Sequence, residues 1–154
     1  MLSDKIFEVH LCLRKRFLKF LETYTPEQLA KIPEGFHNNV FWNIAHCVAT
    51  EQILFYKFSD TPTLVSEEFI DKYKKGTAPT GEVPTLSEIE ELKHLLSFTA
   101  KQLEENYKKG VFQHYNPYTT SLGYPMDTIE DVFYFNNTHE GMHLGTILAL
   151  NYFL

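Results

Sequence analysis

From Asp127 to Leu154 the chain reads DTIEDVFYFNNTHEGMHLGTILALNYFL, with no proline to stop a helix. Asp127 suits the helix start and Glu130 its first turn, where a carboxylate meets the positive end of the backbone dipole. Within this run His139 and His143 stand four apart, so both imidazoles leave one helical face, one above the other. That spacing suits one metal ion gripped by two neutral ring nitrogens. Val132, Phe135, Asn136, Thr146 and Leu150 share the face, so the pair points into a core rather than into water. The plain alternative is two core histidines satisfied by hydrogen bonds. A stacked pair at this spacing favours the metal.

The same letters spell H-E-x-x-H, the zinc-protease motif, which needs a further ligand and a glutamate serving as general base. After His143 the chain holds no His, Asp or Glu, and Thr146 and Ala149 stand where the metzincin continuation requires Gly and His. Glu140 lies about 100° round the helix from His139, at the edge of the metal-facing stripe. The protease reading therefore fails, and any third ligand comes from upstream.

The 154 residues suit one domain spanning 1–154, long enough to bury about two-thirds of its unfolded surface. A net charge of −6 leaves no basic stripe for a phosphate backbone, which argues against nucleic acid as a partner. Lys72, Lys74 and Lys75 form one small cluster, read as a solvated loop face. Cys12 and Cys47 are too few and too isolated for a disulfide framework. Met1-Leu2-Ser3-Asp4 does not open a signal peptide, and no apolar run approaches membrane-spanning length. The expectation is a cytoplasmic protein with no membrane partner.

A first helix is expected from Ser3 or Asp4 to about Tyr24, with Ile6, Val9, His10, Leu13, Phe17 and Phe20 as its buried stripe. His10 faces inward, as a hydrogen-bonded core histidine and, failing His46, a reserve ligand. Thr25-Pro26-Glu27 restarts a short helix. A second long helix runs from Asn38 or Asn39 to about Phe58. On it His46 shares a face with Trp42, Asn43, Ala49, Thr50 and Ile53, while Phe41, Ile44, Val48 and Phe55 make a second apolar face. Cys47 points about 100° away from His46. Residues 59–84 are irregular apart from a short helix in SEEFIDKYKKG ended by Gly76, a length suited to a crossover between helices that run the same way. The third long helix is capped by Thr85 or Ser87 and ended by Gly110, with Leu92, Leu96, Thr99, Leu103 and Tyr107 along one stripe. His94 falls off that stripe, and His37 and His114 sit in loops. Residues 110–126 read as a loop over one end of the assembly.

Four long amphipathic helices and one long crossover predict an all-α four-helix bundle, whose metal sites form in the core from facing helices. His46, inward and beside small Ala49 and Thr50, is the best third ligand. His46, His139 and His143 then leave an open position, the mark of a reactive rather than a closed structural site. Such a set accepts a divalent ion, zinc or nickel first and iron as a third candidate.

The segments WNIAHCVATE and HEGMHLGTI resemble those of the DinB-like family, and the similarity in size and helix order extends over essentially the whole chain. The resemblance implies a four-helix bundle, often homodimeric, whose divalent metal is held at the positions of His46, His139 and His143. Where many members follow the second histidine of the pair with Arg-Gly-Gln, this chain has Leu144-Gly145-Thr146. The resemblance also implies a transferase or isomerase using a small thiol such as bacillithiol or mycothiol, acting on an electrophile in detoxification or stress response. A metal-dependent hydrolase with Glu140 as base and a non-catalytic metal-binding bundle stand as alternatives. Gly141 and Gly145, four apart on the face turned from the histidine pair, with Leu144, Leu148 and Tyr152 beside them, predict a homodimer built on the second and fourth helices.

Overall fold

A computed structural model of the chain describes residues 2–154; Met1, the first residue of the stretch read as no signal peptide, lies outside them. In chain order the helices are α1 (Asp4–Thr23), α2 (Pro26–Ala30), α3 (Val40–Glu51), α4 (Glu67–Tyr73), α5 (Leu86–Lys108) and α6 (Ile129–Leu150). Strands β1 (Tyr118–Thr119) and β2 (Pro125–Met126) pair antiparallel between α5 and α6. The segment read as plain loop therefore carries a small hairpin.

Each long helix starts on a side chain that takes up an otherwise unpaired amide. Ser3 accepts from the Lys5 amide, Asn39 from Trp42, and Thr85 from Glu88, whose carboxylate reaches back to complete a capping box. On α6 the cap is Thr128, not Asp127. Thr128 accepts from the Asp131 amide while the Asp131 carboxylate accepts from the Thr128 and Asp127 amides, a reciprocal arrangement that Asp127 with Glu130 would not match. Gly110 ends α5 at φ +69° and Gly76 follows α4 at φ +93°, where a side chain would be strained.

α1 packs on α5 and α6, and α3 on α6 and α5. Asp4 meets Lys108 across α1 and α5, so those two run in opposite directions. At one end of α3 and α5, Asn106 donates to the Tyr56 hydroxyl; at the other, Phe41 and Leu92 line the same surface. These two helices therefore run the same way, and residues 60–85 are the long crossover between them. This is the all-α bundle expected from the sequence, and among the described residues no helix is long and apolar enough to cross a membrane.

Helix α3 continues through a π turn over Gln52–Tyr56 and a 3-10 turn over Lys57–Ser59, which nothing in the hydrophobic pattern announces. Through this region the consecutive side chains Glu51 and Gln52 are both fully buried.

The apolar core divides into two clusters, one holding Phe17, Val48, Leu96 and Ile147, the other Phe7, Leu54, Leu103 and Phe133. Between them every long helix contributes a buried polar group: His10 and Arg14 from α1, Glu51 from α3, Thr99 from α5, and Asn136 and Glu140 from α6. Arg14 is the hub. Its Nε donates to both Glu140 oxygens at 3.0 Å, Nη2 donates to Glu140 at 2.7 Å and Glu51 at 2.8 Å, and Nη1 donates to Thr99 at 3.3 Å. A guanidinium's planar fork suits two carboxylates at once. The buried stripe of α1 accordingly runs through Phe7, His10, Arg14, Phe17 and Leu21, and Val9, expected inside, is half exposed. The helix is rotated because Arg14, repelled from a core on hydrophobic grounds, is matched there by charges from α3 and α6.

Candidate metal centre

His46 projects from the middle of α3, and His139 and His143 from successive turns of α6, the antiparallel neighbour. Their ring centroids lie 4.5–5.2 Å apart, and one potential ligand atom from each falls within 4.8 Å of the others. The pair singled out on spacing and His46, chosen for its inward place on α3, thus converge, although His46 stands 93 and 97 residues before the other two (139 − 46 and 143 − 46).

Hydrogen bonds fix which nitrogen of two of the rings carries the lone pair. His46 Nδ1 lies 2.7 Å from the Tyr73 carbonyl oxygen, which can only accept, so Nδ1 carries the proton and Nε2 the lone pair. His143 Nδ1 lies 2.7 Å from Asn43 Oδ1. Asn43 is itself oriented, because its Nδ2 donates to the Asn39 carbonyl at 2.7 Å and leaves Oδ1 as the acceptor. His143 therefore also presents a bare Nε2. Carbonyl oxygens behind ligating histidines are the usual means of fixing ring and tautomer.

His139 Nε2 sits 3.2 Å from His143 Nε2, and its Nδ1 is buried with no hydrogen-bond partner. Two nitrogens held tetrahedrally at 2.0–2.1 Å from one ion stand about 3.3 Å apart. The separation matches that of two ligands of one ion as well as that of a ring-to-ring hydrogen bond, and the donor set fits a divalent ion. Trp42 stacks on His46 with centroids 4.6 Å apart and planes 9° from parallel, which fixes the ring's tilt.

Burial keeps the imidazoles neutral, the form that binds metal. It lowers His46 from the ordinary value, opposed by the bond to Tyr73. Burial, followed by the nearby His46, takes His139 down to about 4; burial, followed by His139 and His46, takes His143 down to about 3.

A second group, His10, Glu51 and Glu140, also brings ligand-type atoms together. His10 Nε2 is 3.1 Å from Glu140 and 3.3 Å from Glu51. Here a cation is already present, because Arg14 bridges both carboxylates. Burial would raise the Glu140 carboxyl, but Arg14 and His10 hold it well below the usual carboxylate range. His10 is therefore the hydrogen-bonded core histidine expected of it, and it stands with this polar layer rather than with the three-histidine cluster.

Glu140 is corrected more substantially. Expected at the edge of the metal-facing stripe, it points to α1 and is fully buried in the ion network. Sequence reasoning missed Arg14 and Glu51. The only local signal is a cation four residues after an inward histidine on a helix. Cys47 is buried in the apolar cluster of α3, its thiol pushed up by burial, and Cys12 is exposed; both are free. Thr146 donates to the Met142 carbonyl of its own helix.

Next to the cluster a cavity of about 200 Å³ opens between the end of α3, the start of α6, the crossover and the hairpin. His46, His139 and Thr50 form one wall, Ile53, Phe58 and Phe135 the apolar sides, and Lys75, Tyr118, Thr120 and Ser121 the rest.

A bundle with three convergent imidazoles on its third and sixth helices, two of them with their tautomers fixed by carbonyl oxygens, defines a class of helical proteins able to hold one divalent ion. The chain belongs to the DinB superfamily, whose family model matches residues 13–147. No curated protein and no solved structure matches it.

Proposed function

We propose that His46, His139 and His143 hold a divalent ion, zinc or nickel in first place and iron in third, and that the protein uses it to transfer a small thiol to an electrophile. The observation that supports this reading is the placement of two of the three histidines in the wall of a cavity that has no carboxylate in its lining. When bound, such an ion supplies the charge that deprotonates a coordinated thiol at neutral pH. The chain's own residues do the rest. The Tyr73 carbonyl and Asn43 orient two imidazoles, and Ile53, Phe58 and Phe135 exclude water from the space where sulfur and electrophile meet. In the transfer a sulfur–carbon bond forms, the thiol proton passes to solvent, and the acceptor's leaving group departs with its electron pair.

Hydrolysis is the weaker reading because its base is missing. Glu140, the one carboxylate on α6 beside the histidines, is engaged by Arg14 and His10. The test is the protein loaded with Zn²⁺ or Ni²⁺, given bacillithiol or cysteine and the chromogenic acceptor 1-chloro-2,4-dinitrobenzene at pH 7. A free thiol of pKa about 8.5 is only about 3% ionised there, so full ionisation offers about thirtyfold more thiolate. Conjugation should accelerate by about tenfold or more over the chelated protein; equal rates would overturn the proposal.

The same reading includes a homodimer, now on α6 alone. The second apolar face of α3, through Phe41, Ile44, Val48 and Phe55, is buried within the chain against its neighbours and offers no outer surface. Tyr134, Gly145 and Leu148 on α6, and Tyr152 in the 3-10 turn that follows it, stay exposed along one side, and a side-chain carbon added at Gly141 or Gly145 would meet nothing within 4 Å. A second copy would cover that stripe. The parent should sediment at twice 18.0 kDa, and Gly145→Leu should weaken the dimer about tenfold or more without unfolding the chain. A parent that sediments as a single chain at every concentration rejects the pairing.

A further inference from the structure

Of the three lysines that the sequence groups together, two are spent on neighbouring carboxylates. Lys72 pairs with Glu88 at 3.0 Å and Lys74 with Asp71 at 2.7 Å. Lys75 instead lines the cavity beside His46 and His139. Among the residues lining that cavity it is the only Lys or Arg, and no Asp or Glu accompanies it. The chain as a whole is acidic, at −6, so this is a local reversal of sign. Hydroxyls of Thr120, Ser121 and Tyr118 share the lining with Ile53, Leu54, Phe58 and Phe135, while the Thr50 hydroxyl lies 3.3 Å from His46 Nε2 and donates to it. The first three can donate to an anion, and the aromatic and aliphatic walls accept an apolar body.

We infer that Lys75 makes this cavity selective for a small, largely apolar molecule carrying a carboxylate, held with its charged end at Lys75 and its body against Phe58 and Phe135. This selectivity rests on the proposed thiol chemistry and deepens it by assigning the charge of the molecule that enters the cavity. An ammonium on a flexible stem suits this role, since it acts as a point charge and can follow its ligand. At about 200 Å³ the space is below the range of roughly 300–1,000 Å³ that takes drug-sized ligands, which limits the occupant to about the size of one ring with a short acidic arm.

The test compares phenylacetate with its neutral isostere phenylacetamide, titrated by ligand-observed NMR into the full chain, both metal-free and Zn²⁺-loaded. The metal-free parent should bind phenylacetate about tenfold more tightly than the amide, the effect of one charge-assisted hydrogen bond. Lys75→Gln should erase that preference while leaving the amide's affinity unchanged, and Lys75→Arg should restore it. The inference is overturned if the parent shows no preference, if Lys75→Gln retains it, or if both ligands weaken together. A preference seen only in the Zn²⁺-loaded protein and indifferent to Lys75 would place the carboxylate on the ion, and that too rejects it. Because the readout is binding by the metal-free chain, a protein that transfers no thiol would still show the preference, so the two ideas fail separately.

Discussion

Arg14→Met is expected to destabilise the protein by about 3–5 kcal/mol, the cost of leaving buried carboxylates without their cation. For a chain of this length that lowers the melting temperature by on the order of 10 °C. Arg14 is 2% exposed, and Glu51 and Glu140 are fully buried, so water cannot take over the lost bonds. Methionine fills a similar volume and removes only the charge and the five donors. Adding Glu140→Gln and Glu51→Gln to Arg14→Met should recover a large part of the loss, because neutral amides no longer need a counter-charge. Urea unfolding of the parent and of the three variants made by adding these changes in turn measures both steps. A loss under about 1 kcal/mol in Arg14→Met would mean that the layer is not an ionised network.

The second large effect is on metal content. His46→Ala should take bound Zn²⁺ or Ni²⁺ from near one per chain to below about a tenth, since two imidazoles on one helix leave the ion without a third anchor. The bundle should stay folded, because His46 is at the side of the core and its partners, Tyr73 and Trp42, have other packing contacts. Elemental analysis after gel filtration gives the metal, and far-ultraviolet circular dichroism gives the fold. Full metal retention in the variant would remove His46 from the ligand set. Conjugation should fall with the metal, whereas in Glu140→Gln at a temperature where it remains folded the transfer rate should be preserved.

These two effects arise at different levels of organisation. His46, His139 and His143 are legible in the sequence, because a helix repeats every 3.6 residues and two histidines four apart cannot avoid sharing a face. His46 follows from its central place on an inward stripe, and the long irregular stretch after it foretells the crossover between helices that run the same way. Capping residues and glycines mark the helix ends to within a residue or two, with Thr128 replacing Asp127 through its reciprocal bonds to Asp131.

The fold class, the order of the helices and the histidine set are thus determined by the sequence itself, since each rests on local periodicity. Which charges meet was settled by the packing of the helices. Arg14 on α1 is buried because carboxylates 37 and 126 residues away arrive beside it, and no local pattern encodes that meeting. The same compensation rotated α1 and drew Glu140 away from the histidines. On the crossover, Lys75 lines a cavity while Lys72 and Lys74 meet carboxylates. Apolar side chains respond to water, which every sequence position shares; a buried charge responds to one particular opposite charge, and that is settled only when the helices pack.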